Sequence, residues 1–350
     1  MNRLDRGRVS FFHWLSDRKN GRVPDTGSLL IVTLWLVTIL SVLAVAIGRF
    51  LSTEVRLTKY RIGREQARVL ARSGVYLALQ RLADDAKTSE EGGGQYDWLG
   101  DDWAQFPDSE DPAVWAVDLP EQPGPSGPGA RIEIRMVDEE RKLPLNRVQS
   151  DAGNLWYKTL GRLVTAPEAA PRIADYLDAN TDPFGAEGLE VDEGAQPPYA
   201  AKNGPLVAPE ELLAIPGLEA EPFALLYRLA SVAPLSVPDK LNINTVSPEV
   251  LAAMGMREGT AESLRACRAS GTIFKTEAEI VPTAQESCGI VLDDDEQTLL
   301  QNQFGVTSHL FTVNATGRLL NPPIEARVEA LVQRSANETE PPKILAWRES

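Results

Sequence analysis

The chain has 350 residues, a length that accommodates two or three domains, each large enough to bury a hydrophobic core. Hydrophobic residues make up 43% of it and charged residues 24%, which is typical of folded proteins and unlike disordered or collagen-like chains. The only histidines are His13 and His309. Most zinc sites need several His or Cys ligands, and a Ser-His-Asp triad would have to use His309, so these classes of enzyme are disfavoured.

The net charge of −15 is distributed unevenly along the chain. Residues 1–27 carry +3, residues 28–48 carry no charge and residues 49–81 carry +6, so residues 82–350 carry −24. An acidic body of this kind repels nucleic acid and attracts cations. We therefore expect no nucleic-acid partner.

The segment from Ser28 to Ile47 is an apolar run of twenty residues. As a helix it is long enough to cross a bilayer, and a charge-free run of this length is rare in the buried helices of soluble proteins. No A-x-A cleavage pattern follows it, as one would in a secretory signal. Beyond the run, apolar residues recur every seven positions, at Val55, Ile62, Val69 and Tyr76. We predict one membrane anchor that continues as a stalk, in a single helix of about 55 residues.

Three alternating segments predict strands of a sheet. The first covers residues 131–137, and the other two, Leu310 to Ala315 and Ile324 to Val332, are predicted to form a hairpin with its turn at Gly317 to Pro323. Residues 84–130 are rich in Gly and Pro breakers and indicate loops. The long segment between the first strand and the hairpin is mostly helical in pattern, so the fold class is α+β.

The helical segment contains an internal echo of the form K-L-x-(L/I)-N, at residues 142–146 and 240–244. Each copy could simply be a strand-to-helix transition capped by polar residues. After the second copy, Thr245 or Ser247 is placed to cap a helix that starts near Pro248. Such a start also opens helix-hairpin-helix DNA-binding modules, which need two hairpin glycines. Only Gly255 is kept here, so a membrane-tethered DNA-binding protein is a rival hypothesis that the acidic body disfavours.

An acidic segment after residue 175 is the candidate metal site. Its residues 178, 180 and 182 copy the first three ligand positions of a calcium loop, but Pro183 replaces the usual Gly and Leu189 stands where the bidentate Glu belongs. An irregular calcium site and a solvated acidic loop that caps the preceding helix are both consistent with this pattern. The candidate ligands are Asp178, Asn180, Asp182, Glu187, Glu190 and Asp192.

The chain has two cysteines, Cys267 and Cys288. In an oxidising compartment a pair at this spacing suits a disulfide between two short helices, whereas in the cytoplasm both would be buried thiols. The sequence has no nucleophile elbow, phosphate loop or dinucleotide fingerprint. We therefore expect a non-enzymatic protein.

The start of the apolar run resembles that of the type IV pilin-like proteins. The matching residues are Gly27 and the five apolar or small residues that follow it, from Ser28 to Val32. In that family a leader peptidase cuts after the Gly, and methylation of the new N-terminus follows. Asp25 and Thr26 depart from the family, which usually has a basic residue before the Gly.

Val32 stands where pilin-like subunits usually carry a Glu that pairs with the amino terminus of a neighbouring subunit. A carboxylate in hydrocarbon costs about 2.5–3.5 kcal/mol, so it should persist only where a partner amine compensates it. A subunit without this Glu has no preceding neighbour whose amino terminus the Glu would neutralise. The resemblance therefore implies a first, filament-initiating subunit.

A longer series of motifs resembles one family in particular, the K-type minor pseudopilins of the type II secretion system. Together with the apolar start, the series covers the chain from Gly27 to about Arg334. Its motifs lie, in order, at residues 173–178, 182–183, 185–187, 198–199, 203–206, 211–212, 241–245 and 308–311.

This resemblance implies a pilin-like long helix and antiparallel sheet with a large helical insertion. It places the protein at the tip of the pseudopilus, in a complex with other minor pseudopilins that supports protein export, anchored in the inner membrane with a cytoplasmic N-terminus and a periplasmic body. Bound calcium is known in the family. The implied divisions are a leader at 1–27, a membrane and stalk helix at 28–83, a β domain at 84–140 and 305–334, a helical insertion at 141–304 and a tail at 335–350.

A single-pass receptor or adaptor with a periplasmic binding head is the alternative within membrane biology. Processing after Gly27 would distinguish a pseudopilin from such a receptor. Binding of duplex DNA by residues 85–350 would instead favour the helix-hairpin-helix hypothesis.

Overall fold

The computed structural model describes residues 26–91, 96–106, 111–120, 129–164, 166–218, 220–335 and 340–350. The chain divides into two compact units, one up to Arg61 and one from Ile62 onward. The helices are α1 (Thr26–Glu91), α2 (Leu155–Leu163), α3 (Ala169–Leu177), α4 (Ala220–Leu229), α5 (Pro248–Ala253), α6 (Glu258–Ala269), α7 (Ile280–Pro282) and α8 (Asp294–Gln303). The strands are β1 (Trp115–Leu119), β2 (Ala130–Asp138), β3 (Leu143–Pro144), β4 (Val191–Asp192), β5 (Tyr199–Ala200), β6 (Ala230–Ser231), β7 (Leu241–Asn242), β8 (Phe304–Gly305), β9 (Leu310–Leu320), β10 (Pro323–Gln333) and β11 (Lys343–Glu349).

The described part of the first unit is helical throughout. The stretch that begins at Leu29 is the one helical segment, among the described residues, that is long and apolar enough to cross a membrane. Its polar side chains are satisfied within the helix: the hydroxyl groups of Thr38 and Ser41 donate to the carbonyl groups four residues earlier, at 2.7 and 2.8 Å. Polar groups in hydrocarbon need such internal partners, so the segment suits a bilayer.

Strands β1, β2, β9, β10 and β11 form, in that order, an antiparallel sheet. The predicted hairpin is present, but its turn is shorter than expected. Strand β9 continues to Leu320, which pairs with Pro323, so only Asn321 and Pro322 lie between the strands. Gly317, which the sequence pattern assigns to the start of the turn, instead lies inside β9 opposite Ala326.

The end of α1 packs across one face of this sheet. Small side chains at Ala67, Ala71 and Ala78 are fully buried there, which allows the helix and the strands to approach closely. Gly317 is required at the closest point, because a Cβ atom there would lie 2.1 Å from the carbonyl oxygen of Ala67. The position of this glycine within a strand is therefore explained by the helix above it.

Two strands of the sheet were not expected from the sequence. Strand β1 lies in the segment expected to be loop, and β11 lies in the segment expected to be a C-terminal tail. Most residues of β11 are exposed, so neither of its faces is a buried apolar face that an alternating pattern would mark. Its end is instead attached by an ion pair between Glu349 and Arg72 of α1, at 2.8 Å. Helix α1 also continues to Glu91, past the predicted end at residue 83.

The internal echo marks two similar repeats in the helical insertion. In the first repeat β3 pairs in parallel with β6, and in the second repeat β7 pairs in parallel with β8. The asparagine that ends each motif holds a distant backbone segment: the Asn146 amide binds the N–H of Leu206 at 2.7 Å, and the Asn244 amide binds the N–H of Phe274 at 2.9 Å. The echo is thus more than a pair of helix caps.

Candidate assembly surface and acidic loop

The heptad residues of α1 are exposed in both units, and in the second unit they form an apolar stripe. Val55 in the first unit is 54% exposed, and Ile62, Val69 and Tyr76 in the second are 55%, 57% and 62% exposed. In the second unit this side of the helix is not the one that packs on the sheet, where buried alanines provide the contacts. A stripe at this spacing is a surface on which another helix can pack.

Val32 lies in the apolar part of α1 and is 61% exposed. No acidic residue occurs between Leu29 and Thr53, so this segment carries no carboxylate that could pair with an amine. Gly27 and Ser28, the predicted cleavage position, fall in the first turn of α1. The rest of the predicted leader, residues 1–25, lies outside the described residues.

The acidic loop is shaped by Asp175, a buried residue near the end of α3. Its two carboxylate oxygens accept the N–H groups of Phe184 and Leu189 at 2.9 and 2.7 Å, which folds the chain back on itself. Gly188 allows this turn, since a Cβ atom there would lie 2.5 Å from the Asp175 carboxylate. Burial raises the pKa of the Asp175 carboxyl group. The hydrogen bonds to Asp175 thus give a defined conformation to the loop that carries the candidate ligands.

Two buried oxygens of this loop have no hydrogen-bond partner. They are Oε1 of Glu190 and Oδ1 of Asn203, whose backbone φ of 52° is in the left-handed region. Burial raises the pKa of Glu190, the carboxylates of Asp175 and Asp178 raise it further, and a hydrogen bond from the Asn203 side chain to the other carboxylate oxygen lowers it. Unpaired buried oxygens beside several carboxylates form a donor set that suits a hard cation. Asn203 was missed as a candidate ligand, because it lies well beyond the acidic segment in the sequence.

The other candidate ligands are placed differently. Asp182 acts electrostatically on Glu190, and the backbone N–H groups of Asn180 and Asp182 bond to the side chains two residues before them. Glu187 is exposed. The Asp192 carboxylate accepts the N–H groups of residues 194 and 195 and so holds the turn between β4 and β5. The structure therefore lets the charges of Asp178 and Asp182 act on Glu190, but among the described residues no three carboxylates of this loop lie within 4.8 Å of one another, and Asp192 has a local structural contact.

A buried polar network joins the sheet to the helical insertion. The carboxylate of Asp138, at the end of β2, accepts the hydroxyl groups of Thr245 and Ser308 at 2.5 and 2.7 Å. Ser308 in turn accepts the Asn242 side-chain amide at 2.8 Å, and its N–H donates to Asp97 at 2.7 Å. The motifs at 241–245 and 308–311, which the sequence identified separately, therefore meet at one buried carboxylate.

A second acidic cluster was not expected from the sequence. Among the described residues, Asp85, Asp97 and Asp101 are the group of three whose carboxylate oxygens lie within 4.8 Å of one another. Arg334 already binds two of them, with 2.7 Å to Asp97 and 3.1 Å to Asp85. Burial raises the pKa of Asp85 to about 6 and that of Asp101 to about 7. The buried guanidinium makes this cluster a structural ion-pair site.

Cys267 in α6 and Cys288, after α7, form a disulfide. The disulfide closes a segment in the second repeat of the helical insertion and leaves no free thiol in the chain. The bond is consistent with an oxidising compartment.

The hairpin between α5 and α6 does not provide a phosphate site. Gly255, with φ of 111°, turns the chain as a helix-hairpin-helix glycine would. At the position of the second glycine stands Arg257, whose N–H already donates to the Glu296 carboxylate at 3.0 Å. That carboxylate would repel a phosphate, and the hairpin amide has no free hydrogen to offer it.

Three comparisons with known proteins agree. Residues 142–235 match the family model described as protein K of the type II secretion system. The chain is 27% identical over 257 residues to the type II secretion system protein K of Pseudomonas aeruginosa, covering 69% of this chain and 72% of that protein. The structure is similar to one solved in a GspK-GspI-GspJ complex from enterotoxigenic Escherichia coli, with a TM-score of 0.64 and 18% identity over 84% of this chain and 99% of that chain. The resemblance to the K-type minor pseudopilins and the α+β fold class are thereby confirmed.

Proposed function

We propose that this protein is a minor pseudopilin of the type II secretion system, which starts pseudopilus assembly at the tip together with other minor pseudopilins. The observation that carries the proposal is the exposed heptad stripe of α1, on a helix that also contains the membrane span. The structural relative was solved together with GspI and GspJ, which supports partners of the same kind. The role is that of a structural component in protein export across the outer membrane, without catalysis.

The proposed topology is a single inner-membrane span with a cytoplasmic N-terminus and a periplasmic body. Leader peptidase would cut after Gly27 and the new N-terminus would be methylated. Basic residues on both sides of the span give no clear orientation, so the family resemblance carries this part. A reporter that is active only in the periplasm, fused after Ser350, should be active; activity of a cytoplasm-only reporter there would contradict the topology.

The initiator role rests on Val32 and on the size of the body. Without a carboxylate at Val32, this subunit has no need of a preceding neighbour's amine. The body that follows α1 is also large for a repeating position in a filament of packed stalks. Val32→Glu should leave complex formation intact and at most hinder membrane insertion. Long filaments formed by this protein alone would contradict the role.

The stalk stripe can be tested by placing charges on it. Val55→Asp together with Ile62→Asp should abolish co-purification with the other minor pseudopilins, because each change would bury an unpaired charge in a helix interface. The matched control is Thr53→Asp with Tyr60→Asp, which adds the same charge at two exposed positions on the opposite side of the helix. The control should retain the normal yield. Equal yields for the two double mutants would contradict the stripe as the assembly surface.

We also propose that the acidic loop binds calcium. The unpaired buried oxygens of Glu190 and Asn203 support this, with Asp178 and Asp182 as further donors. Calcium would supply the positive charge that these oxygens lack and so stabilise the loop. At a hundredfold excess over its dissociation constant, a ligand of the folded state stabilises by about 2.7 kcal/mol.

Chelation tests the calcium proposal. A chelator should lower the melting temperature of the purified protein, and Asp178→Asn with Asp182→Asn should remove that response. The control variant Asp294→Asn, at an exposed carboxylate in the first turn of α8, should keep it. Equal melting with and without chelator would leave the solvated-loop interpretation.

A further inference from the structure

A pocket in the second unit combines three arginines with an apolar wall. Its volume is about 380 Å³, and it lies between the loop after α1 and the facing ends of α5 and α6. Trp98, Leu99, Val246 and Pro248 provide much of the wall, and Arg141, Arg265 and Arg268 provide the positive charge. The pocket is separate from the acidic loop, the heptad stripe and the hairpin between α5 and α6.

Arg268 is fixed in place, and no described carboxylate pairs with it. Its two terminal nitrogens donate to the carbonyl oxygens of Ile243 and Val246, at 2.5 and 2.7 Å. Burial lowers the pKa of this guanidinium to about 10, and the neighbouring charges of Arg141 and Arg265 act in the same direction. Three cations therefore repel one another in a partly buried space.

The described carboxylates of the chain do not neutralise this charge. Within the described ranges, no carboxylate lies at ion-pair distance from Arg141 or Arg268. Arg265 pairs at 2.6 Å with Glu262, one turn away on α6, but both side chains are at least half exposed and such pairs contribute little. A chain with 50 acidic and 35 basic residues has carboxylates in surplus, and yet none of the described ones lines this pocket.

We propose that this pocket binds an acidic segment of a partner protein, whose carboxylates supply the missing negative charge. Guanidinium groups bind carboxylates through paired hydrogen bonds, and arginine clusters are a common means of recognising acidic motifs. The apolar wall suits the aliphatic parts of such a segment; Leu99 there is 47% exposed. A polyanionic duplex is disfavoured, because the surrounding body is strongly acidic. The inference does not depend on the proposed role in secretion.

The test uses the full chain in a non-ionic detergent and a fluorescein-labelled peptide of four Glu-Ala repeats, followed by fluorescence anisotropy. The matched peptide has Gln in place of Glu. Arg141→Gln and Arg265→Gln remove pocket charge without disturbing the carbonyl contacts of Arg268. Arg64→Gln removes an equal charge from an exposed position on the stalk.

We expect saturable binding of the Glu-Ala peptide, about tenfold weaker for each pocket variant and within twofold of the unaltered protein for Arg64→Gln. The Gln-Ala peptide should not bind. The proposal is overturned if the Glu-Ala peptide does not saturate, or if Arg141→Gln and Arg265→Gln bind it as the unaltered protein does. Displacement of the peptide by an equal concentration of inorganic phosphate would assign the pocket to a free anion, and tighter binding of a DNA duplex would assign it to nucleic acid; either outcome also overturns the proposal.

Discussion

Replacing Gly317 by Ala should strongly destabilise the second unit, because α1 crosses β9 in direct contact with this glycine. An added Cβ atom would lie 2.1 Å from the Ala67 carbonyl oxygen, 2.6 Å from the Ala71 nitrogen and 2.8 Å from the Leu70 Cβ. The first two contacts are with backbone atoms, which cannot rotate away. The helix or the strand must therefore move by about 1 Å to restore ordinary contact distances.

The cost in stability comes from the contacts between α1 and the sheet that this movement would loosen. Ala67, Ala71 and Val75 are fully buried against the sheet, and a gap of about 0.5–1 Å forfeits about a quarter to a half of each dispersion contact. Overpacked cores lose about 1–3 kcal/mol. Since the obstacle is helix backbone, we expect Gly317→Ala to lower the free energy of unfolding by about 3 kcal/mol.

The measurement is urea unfolding of the full chain in detergent, followed by near-ultraviolet circular dichroism. Gly259→Ala is the matched control, because a Cβ atom at Gly259 in α6 would meet no atom within 4 Å. It should leave the stability unchanged or raise it by up to about 1 kcal/mol, through better helix propensity. A Gly317→Ala protein within about 0.5 kcal/mol of the unaltered protein, the scatter of surface substitutions, would refute the close-packing argument.

Three further predictions concern the second unit. Burial raises the pKa of Asp138 to about 7, above its unfolded value, so the contribution of this group to stability is largest in acid and falls as the pH rises toward 7, by on the order of 4 kcal/mol; Asp138→Asn should remove this share of the pH dependence and leave the shares of Asp85 and Asp101, and an unchanged profile would contradict the assignment. Cys267→Ser with Cys288→Ser opens the loop that the disulfide closes and should cost about 3 kcal/mol, measured as a lower urea midpoint, whereas an unchanged midpoint would mean that the bond adds no constraint. Deletion of residues 343–350 removes β11 and exposes the edge of β10, so light scattering should show aggregation on warming, and a monodisperse truncated protein would show that β11 does not protect this edge.

The sequence determined those features that a local pattern can carry. The uncharged run after Gly27 predicts a membrane span because length and hydropathy alone set that preference. The seven-residue spacing from Val55 predicts the exposed stripe, and strict alternation at residues 131–137 predicts β2. The motifs that resemble the K-type family also lie along the chain, so their order carries the resemblance, and the resemblance implies the architecture.

The tertiary structure decided which distant residues meet. Asp138 binds Thr245 and Ser308, which lie 107 and 170 residues away, and no local pattern indicates such a contact. The sequence pattern assigns Gly317 to a turn. A glycine is required there because α1, near the other end of the chain, packs directly on β9, and the local sequence carries no sign of that contact. Strand β11 lacks an alternating apolar pattern and is placed by its pairing with β10 and by ion pairs. Local periodicity reports on each element's own solvent exposure, whereas close packing and buried polar contacts depend on the surfaces that neighbouring elements present.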